Sequence, residues 1–162
     1  MTHNIEVTAA SVALGFTAGI GTAFELVTNG ILVGALAGVA TNERTDLTFW
    51  AVILPHGVLE LSAICIAGGA GFLIARALYA PGELSHRDSL SLAGWEAAKL
   101  MAGVCVMLVI AGTIEGFLTP SVLSPDFKLA FAGLTAVFLF YWLSLKPPSP
   151  ETRLRALKAT GR

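Results

Sequence analysis

Apolar residues run almost unbroken through four stretches of the chain, and the polar residues collect between them. The first stretch, residues 5–40, is about 36 residues long, about 54 Å as a helix, whereas about 20 residues cross a bilayer core of about 30 Å. One straight span does not account for that length, so Gly19-Ile20-Gly21-Thr22 is read as a break that makes a hairpin of two shorter helices. Residues 41–48 (TNERTDLT) read as a polar loop. Residues 49–78 form a second span interrupted by Pro55, His56, Glu60 and Arg76, with Pro55 placed to kink or start a helix. Residues 79–92 carry Pro81, Gly82, Glu83, His86, Arg87 and Asp88 and read as a loop with room for an interfacial helix. The third span, 95–118, opens on Trp95, whose amphipathic indole suits the headgroup level, and ends at Thr119-Pro120. The last, 127–145, carries Tyr141 and Trp142 near its end before Lys146-Pro147-Pro148 stops it.

This pattern predicts an all-α, polytopic transmembrane helical bundle of four to five helices over residues 1–145, followed by a basic tail, 146–162. The tail sets Lys146, Arg153, Arg155, Lys158 and Arg162 against a single Glu151. Such an excess beside a span marks the cytoplasmic side, so the expectation is a multi-pass protein of the cell membrane with its C-terminus inside. The 119–126 link then falls outside and the 79–92 loop inside. Arg44 places a basic residue in the outer loop, where the rule is strained. Composition agrees with lipid as solvent: 55% of residues are hydrophobic and 13% charged, against about 25% charged in soluble domains. Mean hydropathy is +0.75.

A net charge of −1 with no concentrated basic face on the body of the chain excludes nucleic acid as a partner class. The first residues, Met-Thr-His-Asn-Ile-Glu, lack the basic start of a cleaved signal peptide, so the first apolar segment is expected to remain. Cys65 and Cys105 lie singly among Ala, Val and Ile, far from any Cys-x-x-Cys spacing, and read as small packing residues.

Ionisable groups inside spans cost about 2.5–3.5 kcal/mol each at a helix centre on insertion scales, so each needs a partner or a cavity. Five polar residues stand out: Glu25 and Asn29 in the first stretch, His56 and Glu60 in the second, Glu115 in the third. His56 and Glu60 are four residues apart, as are Glu25 and Asn29, so each pair shares one helix face. Convergence of these groups supports three mechanisms. A carboxylate–imidazole pair relays protons; two carboxylates and a histidine (Glu60, Glu115, His56, weak metal candidates) hold a cation; or a closed hydrogen-bond network fixes helix register. Catalytic signatures are lacking: there is no His-Glu-x-x-His, no Gly-x-Ser-x-Gly and no phosphate-binding loop, so a non-enzymatic chain without cofactor is expected and intramembrane hydrolysis ranks third. His3 and His86 read as solvated.

Small residues follow their own pattern. Gly30, Gly34 and Gly38 recur every four residues, and Gly68, Gly69 and Gly71 line the second span; such faces let helices approach closely, inside the bundle or between subunits.

Ordered pieces of the chain bring these features together. Asn4-Ile5 is followed by Asn29-Gly30 with Gly34, by Pro55-His56-Gly57 with Glu60, by the glycines of 68–71, and by Ala111-Gly112-Thr113-Ile114-Glu115 with Thr119-Pro120. In this combination, over about residues 4 to 120, the chain resembles the stage II sporulation protein M family of polytopic membrane proteins. Many family members carry a longer N-terminal portion with a further span before the Asn-Ile position, so a compact or truncated member is expected. Glu6 and Glu25 match no position of the family pattern. The resemblance implies a membrane scaffold or assembly protein, since in the best-known branch the family member works in a complex that recruits peptidoglycan-degrading enzymes. Its implied partners are membrane proteins of the cell envelope; the apolar spans add the lipid bilayer, and the glycine faces a second copy of the chain. The alternative is a small transporter or channel with an intramembrane His/Glu proton or cation site.

Overall fold

The computed structural model describes residues 2–145. Among them every regular element is helical: α1 (Thr2–Ala13), a short 3-10 turn (Leu14–Thr17), α2 (Ile20–Asn42), α3 (Asp46–Tyr79), α4 (His86–Phe117) and α5 (Pro125–Ser144). Four of these, α2 to α5, are long and apolar enough to cross a membrane. The chain is therefore a multi-pass helical bundle. The basic tail expected over 146–162 lies outside the described residues.

The first apolar stretch is two helices, and the break comes a few residues earlier than the Gly19–Thr22 reading placed it. The α1 helix tightens into the 3-10 turn, and the chain then passes through two left-handed residues, Ala18 (φ 69°) and Gly19 (φ 79°). Gly19 meets that requirement without a Cβ penalty; Ala18 does not, and tertiary contacts hold it there. Thr22 on α2 donates its hydroxyl to the carbonyl of Ser11 on α1 at 2.7 Å, fully buried. Gly71 on α3 is pressed against the same Ser11 carbonyl, and Gly15 against the carbonyl of Gly71, so closely that a methyl group at either glycine would overlap backbone.

The centre of the bundle is α3. Of its membrane-length stretch 56% is buried, against 22% for α4 and 11% each for α2 and α5. It packs against every other helix, while among the described helices α5 packs against α3 alone. Small residues make that central place available: Ala63, Ala67, Gly71 and Ala75 recur every fourth position and all are buried. This row is the close-approach face that lets neighbouring backbones come near in lipid. Ala63 and Ala67 pack with Val104 and Leu108 of α4, and Ala70 and Ile74 with Ala97. Pro55 lies inside α3 without starting it, nine residues after Asp46. Its missing N–H leaves the carbonyl four residues earlier without its usual donor, a loss that packed membrane helices tolerate.

Two loop readings are corrected. Residues 79–92 are not a loop throughout: α4 starts at His86 and only 80–85 link the helices. The signal is a cap: the Ser85 hydroxyl accepts from the N–H of Asp88, and Asp88 adds negative charge to the first turn. His86, Arg87 and Asp88 thus sit on the exposed start of a long helix. Likewise 41–48 shrinks to 43–45, because α2 continues to Asn42 and α3 begins at Asp46. Ser124 caps α5 in the same manner, with Pro125 at its first position.

Candidate functional site

The polar residues singled out from the sequence do not form one cluster, and the two on α3 look toward different neighbours. His56 and Glu60 stand on adjacent turns, but a four-residue step rotates a helix by about 40°, enough for long side chains to part. His56 turns toward the α4–α5 hairpin, where its Nδ1 lies 3.2 Å from the hydroxyl of Thr119. Glu60 turns toward α1 and α2. No hydrogen bond joins the two: Oε1 of Glu60 is buried without a partner in the protein.

On the His56 side the organising residue is one that the sequence reading passed over. Lys128, near the start of α5, is 7% exposed and donates its ammonium to the carbonyls of Thr119 at 2.7 Å and Ser121 at 2.9 Å. These carbonyls follow the end of α4, where helix carbonyls point out without partners and the helix dipole favours a cation. Ser121 adds its own hydroxyl bond to the Leu118 carbonyl. His56, Thr119 and Lys128 therefore tie α3, the link and α5 together. The sequence signal was a lysine one residue inside an apolar span, a position that demands a partner.

On the Glu60 side a pocket of about 170 Å³ opens between α1, α2 and α3. Asn29 and Glu60, both buried, contribute its polar lining together with His3 and Asn4 of α1. Leu32, Val33, Phe49, Ile53 and Ile64 are among its apolar walls. The structure thus brings Asn29 and Glu60 into one pocket. His3, read as solvated, is exposed yet stands at that pocket's edge. The sequence offered no sign of this, because His3 and Glu60 meet only through the fold.

Glu25 lies one turn before Asn29, half-buried and outside the pocket lining. Glu115, half-buried on α4, is engaged in an interaction of its own and does not line the pocket either. Among the described residues no three His, Cys, Asp or Glu side chains gather as a metal site, so the weak metal candidates His56, Glu60 and Glu115 do not form one.

The glycines also separate. Gly68 meets Leu26 of α2, and Gly71 meets Ser11 and Thr22. Gly30, Gly34 and Gly38 have no atom within 4 Å of where a Cβ would stand. They face away from the chain's own helices.

Four apolar helices long enough to span a membrane define a polytopic integral membrane protein. The chain belongs to the family described as Stage II sporulation protein M, whose profile matches residues 1–120. It is similar to an uncharacterized protein of Methanocaldococcus jannaschii, 35% identical over 130 residues, covering 75% of this chain and 70% of that relative. No solved structure matches it.

Proposed function

We propose that the protein is a membrane assembly factor that binds partner transmembrane helices on the outer face of α2. The observation that supports this reading most is the open row of Gly30, Gly34 and Gly38. In lipid, helix association depends on close backbone approach and van der Waals packing, and glycines four residues apart supply the flat face it needs. Exposed Val27 and Ile31 flank the row and add apolar contact area. Partners of the cell envelope, including peptidoglycan-remodelling enzymes, fit the role known in the best-studied branch of the family; a second copy of the chain fits the same face. In this reading the basic residues of 146–162 hold the C-terminus on the cytoplasmic side.

The test uses Gly34→Cys in a chain whose exposed Cys65 and Cys105 are replaced by alanine. Crosslinking in native membranes is expected to trap a defined complex, and Gly30→Leu with Gly38→Leu to abolish it while helicity and thermal stability persist. A Gly34→Cys protein that crosslinks to nothing removes the reading.

A small transporter or channel is the second reading, favoured by the pocket at Glu60. Proton or cation flux in proteoliposomes that disappears in Glu60→Gln, with partner crosslinking intact, replaces the assembly role by this one.

A further inference from the structure

We propose that the pocket between α1, α2 and α3 binds one small monovalent cation, a proton or an alkali-metal ion, at the carboxylate of Glu60. This is a statement about binding at a site separate from the glycine face, and it holds whether or not the ion crosses the membrane.

The first ground is an unmet charge. Glu60 is 7% exposed, and its Oε1 is buried without a hydrogen-bond partner in the protein. An isolated carboxylate in apolar surroundings is costly enough that it neutralises or acquires a counter-charge. A closed structural network would have used that oxygen, as the Lys128 ammonium and the His56 ring are used beside the α4–α5 link.

The surrounding groups offer no built-in counter-ion. From α1 the titratable group in the pocket is His3; from α2 the polar lining residue is the neutral Asn29. On α3 itself His56 is the nearest titratable neighbour in sequence and is engaged with Thr119. From α4 and α5 no residue lines the pocket, and Lys128 is committed to two carbonyls. Among the described residues no lysine or arginine lines the pocket beside Glu60.

The second ground is room and chemistry. A pocket of about 170 Å³ exceeds the roughly 30 Å³ that a water occupies in the liquid, so an ion can keep part of its hydration shell. The side-chain amides of Asn29 and Asn4 and the His3 ring add neutral oxygen and nitrogen atoms to the lining. One carboxylate matches one positive charge. A divalent ion is disfavoured because its sites draw on several hard anionic oxygens, and among the described residues Glu60 is the one acid in the lining.

The test reads Glu60 directly, with the full chain in lipid nanodiscs. Dicyclohexylcarbodiimide reacts with protonated carboxyls in apolar sites, and peptide mapping by mass spectrometry quantifies the adduct at Glu60, with Glu25 and Glu115 as comparisons in the same digest. Glu60 is expected to be modified, and the rate to fall as the pH is raised. A further fall on adding sodium or potassium chloride at fixed pH, compared with N-methylglucamine chloride, identifies an alkali ion; a response to pH alone identifies the proton. In Asn29→Leu the protection by salt is expected to weaken if the bound ion is an alkali metal. The proposal is overturned if Glu60 stays unmodified throughout, which means the pocket is closed to solutes. It is equally overturned if the rate ignores both pH and salt, which means a permanently protonated structural acid. Crosslinking at Gly34 is unaffected by either result, so failure here and failure of the assembly reading are separable.

Discussion

The Lys128 ammonium lies 2.7 Å from the carbonyl of Thr119, and the hydroxyl of that same threonine lies 3.2 Å from the His56 ring. One residue of the α4–α5 link thus joins the central helix to the start of the last one. A cation buried in this place donates to two carbonyls of the link just beyond the end of α4. Replacing it by Lys128→Met keeps the apolar stem but strands the Thr119 and Ser121 carbonyls. The expected cost is about 1–3 kcal/mol, the usual penalty for a buried group left unsatisfied. Denaturation of the purified protein in mild detergent measures it, and a midpoint equal to wild type contradicts the role.

His56 and Thr119 are expected to be energetically coupled. In a double-mutant cycle with His56→Phe and Thr119→Val, the interaction term should be about 0.5–1.5 kcal/mol, the range of a neutral hydrogen bond. Glu60→Gln should be additive with Thr119→Val, because Glu60 lines the pocket toward α1 and α2. Strong coupling between Glu60 and Thr119 would show that the two polar sets are one.

Gly71 and Gly69 are neighbours in sequence with opposite demands. A methyl group at Gly71 would meet the Ser11 carbonyl and stand 2.7 Å from the Thr22 hydroxyl, whereas at Gly69 it meets nothing within 4 Å. Gly71→Ala is expected to destabilise by about 1–3 kcal/mol through overpacking, and Gly69→Ala to be neutral or mildly stabilising. Thermal unfolding followed by circular dichroism separates the two.

Thr22→Val removes the hydroxyl that binds the Ser11 carbonyl while keeping the side chain's shape. Hydrogen exchange should quicken in α1 and the turn at 14–19, leaving α3 and α4 protected. If exchange in α1 is unchanged, the bond does not hold the hairpin.

Much of the architecture was legible in the sequence, because in lipid the backbone must bond within its own segment and apolar length alone identifies a span. Helix ends were less so: His86, Arg87 and Asp88 read as loop because their charge was weighed and the Ser85 cap was not. Pairing of the polar residues was the least legible. His56 and Glu60 share a helix face by spacing, yet they look toward different neighbours. Lys128, hidden in an apolar run, found its partners across a turn.

Apolar run length and the position of charges determined on their own that this is a multi-pass helical membrane protein, and the ordered short motifs marked its family. Tertiary structure alone decided which glycines pack and which face outward, and that Glu60 opens onto a pocket shared with Asn29 and His3. The physical reason is that spans form from local composition, one helix at a time. A partner for a buried charge, or room for a methyl group, depends on helices distant in the chain and on how they rotate against α3.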